Sequence, residues 1–109
     1  MNLKIDRINR LIQRYAGDII LKELSLKEGV FITIVKVDTS PDFRYTKVFI
    51  SVFPEKETDY ALKTLGKELY NIQGDLNRKL HSKPLPRISF HLDTTERKAD
   101  EIEKLLKEI

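Results

Sequence analysis

Two runs of residues rich in Val, Ile, Thr and Phe constrain the fold of this chain more than any other feature. They lie within residues 30–53 and flank a short polar turn of Ser40, Pro41 and Asp42. β-Branched and aromatic side chains suit a pleated, half-buried surface, whereas Ser, Pro and Asp favour turns. The Asp42 carboxylate can accept a hydrogen bond from the backbone that follows it. The stretch therefore predicts a β-hairpin with a charged corner, where Asp42 and Arg44 form a local ion pair.

Apolar residues recur at spacings of three and four on both sides of the hairpin, which is typical of amphipathic helices. The first series predicts a helix from Leu3 to about Leu24. The second predicts a helix of about 20 residues with Thr58 as its N-cap. Gly66 and Gly74 lie within the second helix, and a break or kink is expected near one of them. The two series are Ile8, Leu11, Ile12, Tyr15 and Ile19, and then Leu62, Leu65, Leu69, Ile72, Leu76 and Leu80.

The C-terminal third of the chain predicts one further strand and one further helix. Pro84 and Pro86 exclude a helix immediately before residue 87. Residues 87–92 alternate strictly between polar and apolar side chains, so a strand is predicted whose even-numbered residues are buried under the helices. Asp93 and Glu96 resemble a capping box at the start of a short amphipathic last helix.

The order of these elements defines the expected fold class. It is helix, strand, strand, broken helix, strand and helix, which predicts an α+β protein of two layers with helices covering a three-stranded sheet. The second helical region forms the crossover between the second and third strands. Residues 1–109 are expected to form a single domain.

Several function classes find little support in the composition. The chain has no cysteine, so disulfides and thiolate sites are excluded. It has no apolar run of about 18 residues that could span a membrane, and its charged N-terminus does not resemble a signal peptide, so a cytoplasmic protein is expected. His81 and His91 are isolated from one another and from any nucleophile pattern. We therefore expect no catalytic residue, no metal site and no cofactor.

Positive charge is concentrated in the middle of the chain. Residues 60–91 contain six basic and two acidic side chains, a net charge of +4, whereas residues 92–109 contain four basic and six acidic side chains, a net charge of −2. A basic cluster attracts phosphates, although an ordinary solvated helix face is an equal alternative. The residues that we predict to bind RNA are Arg44, Lys47, Lys67, Asn71, Asn77, Arg78, Lys79, Lys83 and Arg87.

The hairpin resembles that of the ribosome-binding factor A family, and the resemblance extends from Ile8 to Leu106. The matching positions in the hairpin are Val37, Ser40, Asp42, Tyr45, Lys47, Val48 and Val52. Further matches are Leu65, Lys67, Ile72, Leu76, Leu80, Pro86, Phe90 and Asp93. The resemblance implies a type II KH-like fold, with two helices between the second and third strands. It also implies binding to small-subunit ribosomal RNA in the immature small subunit during late maturation, with a role in cold adaptation.

The chain departs from the family pattern at the interhelical kink. The family has Ala-x-Gly there, whereas this chain has Glu68, Leu69 and Tyr70. A divergent or redesigned member is therefore indicated, with the kink moved toward Gly66 or Gly74 and the latter favoured.

The function that we predict is non-catalytic RNA binding by a monomer. The alternative is a protein-interaction module or a dimer, which would use the edge or outer face of the sheet. The residues that could form such a face are Phe31, Thr33, Phe49 and Phe53.

Overall fold

The computed structural model describes residues 3–81, 85–95 and 105–106. The elements in chain order are α1 (Leu3–Glu23), β1 (Phe31–Thr39), β2 (Tyr45–Phe53), a 3₁₀ turn (Glu55–Glu57), α2 (Thr58–Lys79) and β3 (Arg87–Leu92). The α+β class and the three-stranded sheet are thus confirmed. Thr95, Leu105 and Leu106 are helical, and residues 96–104 and 107–109 of the predicted last helix lie outside the described residues.

The sheet has the order β1-β2-β3, so β2 is its central strand. β1 and β2 are antiparallel and form the predicted hairpin, with Phe31 opposite Phe53 and Thr39 opposite Thr46. β2 and β3 are parallel, with Tyr45 opposite Arg87. A parallel pair requires a long crossover, and α2 provides it.

An extra residue in β1 changes which side chains face the helices. Ile34 lies opposite Ile50, but Lys36 lies opposite Phe49, so Val35 has no partner across the hairpin. Such a β-bulge shifts the alternation of side chains by one position. Lys36 consequently points to the outer face of the sheet rather than toward the core.

The core lies between the two helices and the inner face of the sheet. The apolar stripes of α1 and α2 share one core cluster with Val48, Ile50 and Ile88. Both helices therefore cover the same face of the sheet, and the other face points away from them. β2 contributes the two most deeply buried strand residues, Val48 and Ile50. The main core cluster comprises Ile8, Ile12, Ala16, Ile19, Ile20, Val48, Ile50, Leu65, Ile72, Leu76, Leu80 and Ile88.

Two buried threonines close the core at the turn end of the hairpin. The Thr39 hydroxyl donates to Asn9 Oδ1 at 2.5 Å, and the hydroxyls of Thr39 and Thr46 lie 2.8 Å apart. Buried hydroxyls are costly unless they are hydrogen-bonded, and here each has a partner. The contact also fixes the register of α1 against the hairpin.

The third strand is less buried than its alternation predicts. Ile88 is buried, but Phe90 and Leu92 are only half-buried, although both face the helices. β3 is an edge strand, so it has a neighbouring strand on one side only. The prediction that all three even-numbered residues are fully buried is therefore correct only for Ile88.

The predicted break in the second helical region is absent. α2 is continuous from Thr58 to Lys79, and Gly29 is the only glycine of the described residues with a positive φ. One helix thus stands where the KH-like order has two. Leu65, Ile72 and Leu76 bury their side chains on both sides of Gly66 and Gly74. Burying a leucine or isoleucine stabilises by about 1.5–3 kcal/mol, which exceeds the cost of about 1 kcal/mol for each helical glycine.

The start of α2 also differs from the prediction by one position. The N-cap is Glu57, and Thr58 is the first helical residue. The Thr58 hydroxyl donates to the Glu55 carbonyl oxygen at 2.6 Å instead of accepting from a helix amide. The 3₁₀ turn before α2 provides that carbonyl and so moves the start of the helix.

Replacing the helical glycines tests the continuity of α2. An added Cβ meets nothing within 4 Å at Gly66 and only an Arg78 side-chain atom at 4.0 Å at Gly74. We expect Gly66→Ala and Gly74→Ala each to raise the free energy of unfolding by about 0.4–1 kcal/mol in urea titrations. Gly29→Ala is the control and should lower it, because φ is +83° there. Destabilisation by both helical substitutions would contradict a continuous helix.

The position of the core predicts that two helical leucines differ widely in how much stability is lost when each is replaced by alanine. Leu65 is 1% exposed and Leu21 is 82% exposed, and both lie in helices. Leu65→Ala should therefore cost about 2–5 kcal/mol, whereas Leu21→Ala should change stability by less than about 0.5 kcal/mol. Chemical denaturation of the two variants compares them directly, and similar losses would contradict the placement of the core.

Candidate nucleic-acid interface

The outer face of α2 carries a polar, mainly basic stripe. Since the apolar residues of α2 point to the core, residues at the complementary helical positions point to solvent. The α2 stripe, as we name it, consists of Lys63, Lys67, Asn71 and Arg78, and all four are exposed. Their spacings of four, four and seven residues place them on one side of the helix. Tyr70, beside them, is 89% exposed.

Neighbouring carboxylates pair with two of the four side chains of the α2 stripe. Asn71 Nδ2 donates to Glu68 Oε2 at 3.2 Å, and Arg78 forms an ion pair with Asp75. Both pairs are exposed, and exposed pairs contribute little to stability. Among the described residues, Lys63 and Lys67 form no ion pair. Their ammonium groups can therefore bind phosphates without first losing a partner.

Asn77 has a structural role in addition to its predicted role in RNA binding. Its Oδ1 accepts a hydrogen bond from Gln73 Nε2 at 2.9 Å. Gln73 in turn donates to the Pro86 carbonyl oxygen at 3.0 Å and accepts from the Ile88 amide at 2.8 Å. Gln73 thus ties α2 to the start of β3. Nothing local in the sequence marks a glutamine that pairs with a strand residue 15 positions away, so only the structure reveals this role.

Lys79 points away from the α2 stripe. Its Nζ lies 5.5 Å from the centroid of the Tyr15 ring on α1. The C-terminus of α2 therefore places adjacent basic residues on two sides, with Arg78 on the outer stripe and Lys79 toward α1. Lys83 lies outside the described residues.

The remaining predicted residues gather on the outer face of the sheet. The Arg87 amide donates to the Arg44 carbonyl oxygen at 2.8 Å, and Tyr45 lies opposite Arg87. Arg44, Tyr45, Leu85 and Arg87 line a shallow pocket of about 500 Å³. Lys47 is exposed two residues further along β2. The predicted residues thus divide between opposite faces of the molecule and do not form one neighbourhood.

A row of three side chains crosses the outer face of the sheet beside this group. Lys36 Nζ lies 4.6 Å from the centroid of the Phe49 ring, and the rings of Phe49 and His91 lie 5.7 Å apart. His91 Nε2 is 2.8 Å from Ser89 Oγ. The bulge at Val35 is what turns Lys36 to this face. The sequence alone did not indicate the row, because the bulge has no local signal.

The hairpin turn is fixed by hydrogen bonds to Asp42 rather than by an ion pair. Asp42 Oδ1 accepts from the Ser40 hydroxyl at 2.6 Å and from the Arg44 amide at 3.1 Å. The Ser40 hydrogen bond, followed by that of the Arg44 amide, lowers the pKa of Asp42 below its ordinary value. The Asp42 and Arg44 side chains do not form the predicted salt bridge, although the positive charge of Arg44 also helps to lower the pKa of Asp42. The predicted hydrogen bond from the following backbone is confirmed.

No group of three or more His, Asp or Glu side chains within residues 3–81, 85–95 and 105–106 is arranged to hold a metal ion. Across the same part of the chain, no helix combines the length and the apolar character needed to cross a membrane.

These features define a class of protein: a small α+β protein with a KH-like fold in which one continuous helix takes the place of the usual two. This long helix presents basic and amide side chains to solvent. The sequence profile of the ribosome-binding factor A family matches residues 4–106. The ribosome-binding factor A of Chlorobium phaeobacteroides is 33% identical over 112 aligned positions, which cover 100% of this chain and 96% of that protein. The chain belongs to the ribosome-binding factor A family.

Solved structures agree with this fold. The crystal structure of ribosome-binding factor A from Thermus thermophilus matches with a TM-score of 0.70 at 22% identity, covering 81% of this chain and 94% of that one. The Thermus thermophilus factor as fitted into the cryo-EM map of a 30S complex matches with a TM-score of 0.65 at 23% identity, covering 79% and 91%. At these identities the likeness establishes the fold alone.

The role of Ser40 in the turn predicts a change in the titration of Asp42. In Ser40→Ala the carboxylate loses its first hydrogen bond, so the pKa of Asp42 should rise toward its ordinary value. The stability that the charged carboxylate contributes is present at neutral pH and is lost as the pH falls through its folded pKa. The stability difference between the two proteins should therefore shrink in acid. An NMR titration of the Asp42 carboxyl measures the shift directly.

Thr33→Ala is the control for this titration, because it removes a hydroxyl at the far end of the hairpin. The pKa of Asp42 should be the same in Thr33→Ala as in the unmodified protein. An unchanged pKa in Ser40→Ala would show that the hydroxyl does not hold the carboxylate in its charged form.

Proposed function

We propose that this protein is a non-catalytic RNA-binding factor that associates with the immature small ribosomal subunit and assists the late maturation of its ribosomal RNA. The proposal places the protein in the cytoplasm as a monomer, with residues 1–109 as one domain and a role in cold adaptation. Membership of the ribosome-binding factor A family supports it. The Thermus thermophilus relative fitted into a 30S complex supports the choice of the small subunit.

The α2 stripe is the observation that carries the proposal. Lysines such as Lys63 and Lys67 replace the counterions of phosphates, and the entropy of the released ions favours binding. Asn71 offers an amide that can donate to a phosphate or accept from a ribose 2′-hydroxyl. The formal net charge of the chain is only +3. The local density of cations therefore matters more than the total charge.

Binding alone is sufficient for a maturation factor. If one conformation of the ribosomal RNA presents its phosphates at the spacing of the stripe, the protein stabilises that conformation relative to the others. It can shift the population only by the ratio of its affinities for the two conformations. A tenfold ratio corresponds to about 1.4 kcal/mol, which a few phosphate contacts can supply.

Neutralising the α2 stripe tests the proposal. The triple variant Lys63→Gln, Lys67→Gln and Arg78→Gln should bind small-subunit ribosomal RNA more weakly than the unmodified protein. For each phosphate that the variant no longer binds, the slope of log affinity against log salt concentration should become shallower by about 0.7–0.9. The melting temperature should change little, since these side chains are exposed. Binding titrations at several salt concentrations give both quantities.

The matched control removes three charges from the exposed face of α1, with Arg10→Gln, Arg14→Gln and Lys22→Gln. Each triple variant removes three positive charges, so the net charge falls equally in both. The three α1 residues are exposed, so their replacement leaves the core unchanged. Equal losses in the two triple variants would indicate non-specific attraction and would contradict a site on α2. An undiminished affinity in the α2 variant would also contradict the proposal.

A second candidate function is protein interaction through the outer face of the sheet. Phe31 and Phe53 lie opposite one another on this face, and they are 63% and 68% exposed. Exposed aromatic pairs are favourable anchors for a partner. The two functions differ in salt dependence. Comigration with small subunits that weakens as the salt concentration rises favours RNA binding. A stable dimer that is indifferent to RNA favours the protein-interaction alternative.

A further inference from the structure

A groove between α1, the hairpin turn and the C-terminus of α2 is separate from both surfaces described above. It has a volume of about 400 Å³. Ile8, Leu11 and Leu80 form its apolar floor, and the aromatic rings of Tyr15 and Phe43 lie along it. Among the described residues, Lys79 is the only predicted RNA-binding residue that lines this groove.

The charge around the groove is of one sign. Arg7 and Lys79 line it together with Lys4, and no acidic side chain of the described residues does so. Lys79 Nζ lies over the Tyr15 ring, 5.5 Å from its centroid. A ligand that fills the groove therefore needs a flat or apolar part and an adjacent negative charge.

Phe43 adopts a backbone conformation that an aromatic residue rarely takes. Its φ is +61°, and Gly29 is the only other described residue with a positive φ. Glycine or asparagine would occupy this turn position with less strain. The turn is held by the Phe43 amide, which donates to the Ser40 carbonyl oxygen at 2.9 Å. The strained backbone thus keeps a half-buried aromatic ring at the edge of the groove.

We propose that this groove binds one unpaired nucleotide of the RNA that the protein recognises, with the base against Phe43 and Tyr15 and its phosphate between Arg7 and Lys79. The inference rests on the proposed function and adds a second contact to it. Unstacked bases commonly stack on aromatic side chains beside a positively charged surface. An acidic peptide shares the charge, but the pair of aromatic rings favours a planar base. A double helix cannot offer such a base without opening.

The test compares single-stranded and duplex RNA of the same length. Phe43→Leu and Tyr15→Leu keep the apolar volume but remove the π face. Each should weaken binding of a mixed-sequence ten-nucleotide single strand by at least about fivefold, the low end of the effect of losing one stacked base. Each should leave the affinity for a duplex of ten base pairs unchanged. Arg7→Gln should weaken single-strand binding and make its salt slope shallower by about 0.7.

Two control variants match the chemistry of these substitutions away from the groove. Phe31→Leu removes an exposed aromatic ring from the outer sheet face, and Arg10→Gln removes an arginine from the same helix as Arg7. Both should bind the single strand as the unmodified protein does. Thermal melting identifies any groove variant that fails to fold, and Arg7→Gln, which alters an exposed side chain, then still gives a result.

The outcomes separate this inference from the proposed function. If the α2 triple variant loses affinity and the groove variants match their controls, the groove proposal is overturned and the proposed function stands. If the groove variants bind the single strand normally but fail to associate with small subunits, the groove holds a protein segment and the proposal is likewise overturned. If the unmodified protein binds no RNA, both proposals fail together.

Discussion

The burial of two helices against one face of the sheet is the constraint on which the rest of the structure depends. Ile12 of α1, Leu65 and Ile72 of α2, and Val48 and Ile50 of β2 are almost completely removed from water. Each such side chain contributes about 1.5–3 kcal/mol by burial, whereas an isolated amphipathic helix of this length is marginal in water. The packing therefore keeps α2 helical through its glycines. The direction of the α2 stripe follows from the same contacts.

Much of this fold could be predicted from local patterns, because those patterns coincide with the tertiary contacts. The hairpin follows from β-branched runs around Ser40 and Asp42, and its second strand ends at Phe53, immediately before Pro54. The helix of 58–79 follows from leucine spacing. Its continuity could not be predicted in this way, since local propensity at Gly66 and Gly74 favours a break and only tertiary packing outweighs it.

The distribution of site residues was harder to predict, because charge along the sequence does not determine charge in space. Arg78 and Lys79 are neighbours in the chain but point to different surfaces. Lys36 reaches the outer face of the sheet only because Val35 bulges. The groove at Phe43 joins three distant segments of the chain, and a single sequence gives no sign of such a meeting. The arrangement of these residues in space could therefore not be predicted from a single sequence.

The central claim is that RNA binds to the helical side of the molecule, and NMR mapping of the interface tests it most directly. Amide resonances of the intact protein would be followed while a fragment of small-subunit ribosomal RNA is added. The account predicts that the largest shifts occur at the α2 stripe, around Lys63 to Arg78, and at the groove beside Phe43. Shifts concentrated at Phe31, Phe53 and the outer face of the sheet would contradict it.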